Sequence, residues 1–258
     1  MIARLRTFEK YKHLLRNLIV KDVKLKYRRS ILGILWSVLN PLLMMMVISA
    51  VFSSIFRISV ENFPIYYLTG STLFNMLAET TNNAMTSVLD SSSLIKKVYI
   101  PKYIFPLEKC LFGFINFLFS MVAVAIMYII FGYQVHWTVL LFPIPVFFTL
   151  VFSIGLGLIL SVLSVFFRDI VHLYSVLLTA WTYFTPIMYP YDILNDKIKI
   201  IMHLNPMFHY VKYFRDVLMY NRVPGITTNL VCAAIAFGTL FIGLFFFKRK
   251  QDKFILYI

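Results

Sequence analysis

Apolar residues run in long blocks along this chain, separated by short polar or charged joints. Six blocks, at about 31–56, 63–89, 107–132, 139–166, 170–189 and 226–247, are each rich enough in apolar residues to read as a span. A helix of roughly 18 or more such residues crosses a hydrocarbon core ~30 Å thick. The second block is the weakest, because Glu79, Thr80, Thr81, Asn82 and Asn83 interrupt it. Ahead of the first block, residues 8–29 carry Tyr11, Leu14, Leu15, Leu18 and Ile19 at i, i+3, i+4, i+7, i+8. That spacing predicts an amphipathic helix lying in the membrane interface, with Lys10, Lys12, Arg16 and Lys24 largely on its other face. Asp22 falls on the apolar stripe, and Lys26 one turn later is its expected partner.

The joint at 190–225 is long and holds two amphipathic pieces split by Asn205-Pro206. Leu194, Ile198, Ile201 and Met202 form one stripe; Tyr210, Val211, Phe214, Val217 and Leu218 form the other. Each piece is too short to cross, so a re-entrant or interfacial hairpin is expected before the last span, with Pro186 and Pro190 loosening the helix that leads into it.

Composition supports a membrane setting. Hydrophobic residues make up 60% and charged residues 14%, against about 45–50% and 25% in soluble domains. The blocks lack the short alternation of a β-barrel strand, so the fold class is an all-α polytopic membrane protein. Two parts are expected: the interface helix at 1–30 and a six-span domain at 31–258. The net charge of +14 is concentrated beside spans, which points to topology and anionic lipid headgroups and argues against nucleic acid. Ten of the Lys and Arg residues precede the first span and four lie in the tail, with Lys96, Lys97, Lys102 and Lys109 in or just past the second joint. The opposite side collects one, none and five in its three joints. Both termini are therefore expected in the cytoplasm. The first thirty residues show no cleavable-signal pattern, and the first span is expected to target the chain. Cys110 and Cys232 lie in apolar runs, where they read as small hydrophobes.

Converging polar groups of the kind an enzyme needs are scarce. Glu79 is the main intramembrane carboxylate; it is either functional or, the favoured reading, shares hydrogen bonds with Thr80, Asn82 and Asn83 at a helix interface or wet cavity. Arg168, Asp169 and His172 in FRDIVH could be mistaken for an acid–base set, but a turn capped by Asp169 explains them as well. His203 and His209 are six residues apart, the wrong spacing for an i, i+4 metal pair. No phosphate-binding G-x-x-x-x-G-K loop occurs, so any energy from ATP and Mg would have to be handled by a partner, with no cofactor held by this chain. Ser153, Gly157 and Ser161 form a small-residue face suited to close helix packing, as does Gly155-x-Gly157. Trp36 and Phe52 in the first block, and Tyr174, Trp181, Tyr183, Phe184 and Tyr189 in the fifth, read as packing or belt residues; Trp181, Tyr183 and Phe184, in the outer half of the fifth, also offer faces on which a sliding glycan could stack. The remaining oddity is LIKKVYIPKYIFPL at 94–107, basic, aromatic and punctuated by proline between two spans. It reads either as a lipid-facing loop or as a grip for another protein.

Four stretches settle which family the chain resembles. KDVKLKYRRSILGILWSVLNPLL (21–43), LIKKVYIPKYIFPL, FRDIVH (167–172) and LNPMFHYVKYFRDVL (204–218) resemble, in order, motifs of the membrane subunit of ABC-2 type exporters of O-antigen and related polysaccharides. The resemblance implies a homodimer of six-span permease subunits in the bacterial inner membrane, served by two separate cytoplasmic ATPase subunits. It implies outward movement of a lipid-linked polysaccharide. Carried onto this sequence, the interface helix spans Tyr11–Arg29, with Arg16, Lys24, Arg28 and Arg29 beside the entrance. The coupling helix spans Leu94–Phe105 and includes Leu94, Ile95, Lys96, Lys97, Val98 and Tyr99, with a smaller contact around Arg168 and Asp169. The first and fifth spans line the path, with Trp36, Trp181, Tyr183, Phe184 and Tyr189 as candidates, and the hairpin at Asn205 and Pro206 closes it externally. A membrane-embedded enzyme of lipid-linked sugars, a passive channel, and export of capsule or teichoic acid are the alternatives.

Overall fold

A computed structural model describes residues 2–28, 30–52 and 62–258, with the backbone only for 2–10. The described residues are helical, with no strand among them. Helix α1 (Ile2–Tyr27) precedes α2 (Leu35–Val51), α3 (Phe63–Asp90) and the short α4 (Ser92–Lys97). Then come α5 (Ile104–Ile130), α6 (Pro143–Phe166), α7 (Ile170–Phe184), α8 (Asp196–Met202), α9 (Pro206–Leu218) and α10 (Ile226–Lys250).

Among the described residues, three helices are long and apolar enough to cross a membrane: α5, α6 with the 3₁₀ turn before it, and α10 with the turn after it. Helices α2 and α7 are apolar but shorter, at 17 and 15 residues. Helix α3 has 28 residues, about 42 Å at 1.5 Å per residue, but its polar middle sets it apart from the apolar helices. The chain is a multi-pass membrane protein, and helices occupy all six apolar blocks.

The ends of two helices differ from the expected limits for local reasons. Helix α2 starts at Leu35 rather than 31 because Gly33 takes φ +51°, a left-handed turn that breaks helical continuity. Its other expected limit, at 56, lies outside the described residues. Helix α7 stops at Phe184 rather than 189: Thr185 is extended at φ −105°, ψ 132°, as expected of the residue before Pro186.

Pro41 lies inside α2 and has no N–H to offer the Ser37 carbonyl one turn back. The Ser120 hydroxyl of α5 donates to that carbonyl instead, at 3.2 Å. The cross-helix bond replaces the donor that the proline removes, which makes the proline tolerable inside the helix.

Helix α3 is the axis of the bundle and packs chiefly on α5 and α6, while α10 packs on α6. Glycines set these approaches: a Cβ at Gly113 would sit 2.6 Å from Thr80 Cγ2, and one at Gly157 2.8 Å from Ala84 Cβ. The small-residue face of α6 is accordingly buried at Ser153, Gly157 and Ser161. Two apolar clusters mark the two ends of the bundle. One joins Leu15 of α1 to Val88, Ile95, Ile104, Val165, Phe247 and Phe254; we term this the terminal end. The other, larger cluster takes in the middle of the bundle and the opposite end, where α9 packs through Tyr210, Val211, Phe214 and Val217.

Candidate functional site: a docking end, a polar groove and a latched hairpin

At the terminal end, α3 bends at Ser91 into α4, and Ile95 inserts into the apolar cluster at 8% exposure. A helix of six residues with one buried face leaves its other residues outward. Lys96, Lys97 and Val98 are exposed, Leu94 is half-buried, and Tyr99 is 91% exposed. Tyr11 of α1 donates its hydroxyl to the Tyr99 carbonyl at 3.3 Å, so the backbone is tied down while the ring stands free. Lys102 is spent differently. Its ammonium donates to the Gln251 carbonyl at 2.6 Å and lies over the Phe254 ring; burial pulls its pKa down, against the pull of Asp252. The α6–α7 turn lies at the same end, with Phe167, Arg168 and Asp169 exposed. Asp169 stands at the N-cap of α7, but its side chain makes no capping bond; the backbone of His172 meets the Asp169 carbonyl instead.

Helix α1 buries the predicted stripe, Tyr11, Leu14, Leu15, Leu18 and Ile19, against that cluster. Arg16, Lys24 and Arg28 are exposed; Arg29 lies outside the described residues. The expected Asp22–Lys26 pair does not form. Asp22 pairs with Lys109 of α5, and Lys26 reaches Glu79 of α3 at 2.8 Å. Asp22 and Lys26 of α1 both reach partners on the bundle helices, so cross-helix partners outcompete the local one.

The Lys26–Glu79 contact closes one side of a cavity of about 490 Å³ between α1, α2, α3 and α5. Glu79 also accepts from Asn116 Nδ2 at 2.7 Å, and Tyr27 donates to Asn116 Oδ1 at 3.1 Å and pairs with the Ser37 hydroxyl. Thr80, by contrast, returns its hydroxyl to the Met76 and Leu77 carbonyls. Glu79 is thus held by α1 and α5, not by the polar neighbours on its own helix, which point elsewhere. Asn75, Glu79 and Asn82 fall at i, i+4 and i+7 on α3, one face, and both asparagines are exposed. Trp36 and Asn40 of α2 stand on the same cavity. A carboxylate, amides, hydroxyls and an indole on one cavity of this size suit a hydroxyl-rich ligand better than a hydrocarbon one.

At the far end, Asn205 is a junction. Its Oδ1 accepts from Met207 N–H at 3.0 Å, capping α9, and from Trp181 Nε1–H at 2.7 Å. Its Nδ2 donates to the Phe184 carbonyl and the Thr185 hydroxyl, each at 3.1 Å. Pro206 occupies the first turn of α9, where its missing N–H costs nothing. Trp181 packs edge-on against Phe74 and Phe152, inside the bundle, whereas Tyr183 and Phe184 are exposed. Tyr189 is half-buried and donates to the Tyr183 carbonyl at 2.8 Å. Of the aromatic path candidates, then, Trp36, Tyr183 and Phe184 present free faces and Trp181 does not. His209 Nε2 lies 2.8 Å from the His203 carbonyl oxygen, as a donor.

Two polar residues were not singled out by the sequence reading. Arg215 is 4% exposed, donates to the Pro186, Tyr66 and Ile187 carbonyls, and stacks over the Tyr66 ring at 3.5 Å. Its signal was present: it follows Val211 by one turn, on the buried face of α9. Glu108 is buried beside Lys109, its Oε1 without a hydrogen-bond partner. It sits in the first turns of α5, where the apolar run had begun.

Comparison with known proteins places this architecture. The profile of the ABC-2 type transporter family matches residues 13–219. The chain is 29% identical over 256 residues to the O-antigen export system permease protein RfbA of Myxococcus xanthus, covering 98% of each chain. It is 28% identical to the protein of the same name from Klebsiella pneumoniae, over 91% of this chain and 90% of that one. It is 23% identical to the polysialic acid transport protein KpsM of Escherichia coli, over 95% and 96%. With the match running through α4, the polar cavity and the Asn205 junction, the chain belongs to the ABC-2 type transporter family.

Proposed function

We propose that this chain is the permease subunit of an ATP-driven exporter that moves a lipid-linked polysaccharide outward across the bacterial inner membrane. It acts as a homodimer of six-span subunits, both termini cytoplasmic, with two separate ATPase subunits holding ATP and Mg. The observation that carries this reading is the docking end. Two lysines project from a short helix, and a valine and a free aromatic ring from the residues just after it; one buried isoleucine and a tethered backbone hold the segment. A lipid-facing loop gains nothing from such support, whereas a cleft in a motor protein needs a stiff lever. Movement at α4 passes into α3, the axis of the bundle, and so to α5 and α6.

The path follows the polar face of α3. Each subunit offers Asn75, Glu79 and Asn82 along this face, with Trp36 and Tyr183 as stacking surfaces. Sugars slide along such a face by exchanging hydroxyl contacts without a deep site. The Asn205 junction and the Arg215 clamp hold the external hairpin against the end of α7, as a gate would be held between strokes. A deletion strain tests the reading: surface polysaccharide should vanish and the lipid-linked chain accumulate inside the inner membrane. Undiminished surface polysaccharide would overturn it.

A further inference from the structure

Beside the clamp, α9 and the chain after α7 enclose a cavity of about 530 Å³, within the range of small-ligand sites. Tyr66, Tyr191 and Tyr220 wall it, and Lys212, Arg215 and Arg222 line it with positive charge. Asp192 and Asp216 also reach it, but Asp216 has Lys212 and Arg222 acting on it. Arg215 has no such counter-charge: among the described residues no carboxylate lies within ion-pair distance of it. Three carbonyls take its Nη hydrogens, and its Nε–H, fully buried, has no acceptor. The guanidinium occupies the space a side chain at residue 70 would fill, since a Cβ on Gly70 would collide with Nη2.

A buried cation satisfied only by dipoles leaves a positive field in a region where solvent screens little. Carbonyls fix its position without cancelling its charge. Lys212 and Arg222 are exposed at the rim and can reach a ligand directly. Tyrosine faces beside a cationic pocket suit sugar rings flanking an anion.

We propose that this cavity holds an oxyanion of the exported glycolipid, either a phosphate ester group or a sugar carboxylate, with the adjoining sugars against the tyrosines. Lys212 and Arg222 contact the anion, and Arg215 supplies the fixed field behind them. The proposal rests on the export reading for the ligand's source, but its test does not use export. The purified full chain in nanodiscs of zwitterionic lipid is titrated calorimetrically with inorganic diphosphate and, separately, with methyl glucuronide, at constant ionic strength. At least one should saturate at one site per chain below about 10 mM. Its affinity should fall tenfold or more in Lys212→Gln/Arg222→Gln, with each single variant intermediate. Saturation by diphosphate alone identifies the carrier linkage, by glucuronide alone an acidic sugar, and by both a general oxyanion site. Failure of both to saturate, or equal affinity in wild type and variants, overturns the site while leaving the deletion phenotype to judge the export reading.

Discussion

The contact between α6 and α10 is the tightest backbone approach that the glycines allow, and it yields a quantitative prediction. A Cβ on Gly155 would lie 2.5 Å from Leu240 N, 2.6 Å from the Thr239 carbonyl carbon and 2.7 Å from Leu240 Cα. These are backbone atoms, which cannot swing aside as a side chain can. Ordinary carbon contacts begin near 3.5 Å, so the helices must part by about 1 Å, which forfeits up to half of each dispersion contact along the seam. Overpacking of this kind costs about 1–3 kcal/mol; alanine's better helix propensity, about 1 kcal/mol, is gained equally at any helical glycine and cancels against a control at another helical glycine. Gly238 on the same α10 has nothing within 4 Å of its built Cβ, so Gly238→Ala should be neutral or slightly stabilising. Thermal unfolding of the detergent-solubilised variants, followed by tryptophan fluorescence, should separate the two by roughly 2–12 °C, Gly155→Ala lower. Equal melting of Gly155→Ala and Gly238→Ala would refute the idea that this glycine sets the helix spacing.

Three further outcomes follow from the same geometry. Single cysteines at Lys96, Lys197 and Arg222, treated with an impermeant thiol reagent in intact cells, should label at the last two only; labelling at position 96 would reverse the topology. Trp181→Leu should lower the melting temperature, because it loses the bond to Asn205 and two aromatic edges, a loss of about 1–3 kcal/mol; Tyr183→Leu should leave melting unchanged and reduce export, and unimpaired export would remove Tyr183 from the path. Glu79→Gln should cost under about 1 kcal/mol of stability, since its ion pair is partly solvent-exposed, yet slow export; export at the wild-type rate would make Glu79 a structural residue only.

Local periodicity carried most of the helix positions and the stripe of α1, because burial of one face in a 3.6-residue repeat is a property of neighbouring residues. Helix ends were legible only where a residue type enforces them: Pro186 could have predicted the stop of α7 at Phe184, and Gly33 the late start of α2. The partners of charged residues were not legible. Lys26 and Glu79 are 53 residues apart, and Asp22 and Lys109 are 87 apart, so the helical rule that paired Asp22 with Lys26 had no view of α5. The polar interruption at 79–83 marked Glu79, but only the packing of α1 and α5 shows which groups hold it. Arg215 sat in plain sight on an apolar face; what its caging carbonyls would be depended on the unwound segment after α7, which no repeat encodes. The aromatics of the fifth block illustrate the same limit, since Trp181 and Tyr183 are two positions apart and face opposite environments.

The central claim is that α4 and the residues after it grip an ATPase. Tyr99→Ala removes the exposed ring without touching Ile95 or the Tyr11 tether to the backbone, so the fold of this end should be intact. If the ring is an interface anchor, its loss costs about 2 kcal/mol or more, a weakening of roughly thirtyfold. Lys96→Glu with Lys97→Glu should instead make assembly salt-sensitive, as rim charges do. The measurement is co-purification of the ATPase subunit with tagged wild type and variants from membranes at fixed salt. The account predicts that Tyr99→Ala reaches the membrane at normal levels and recovers little or no ATPase; full recovery of the ATPase with Tyr99→Ala would contradict it.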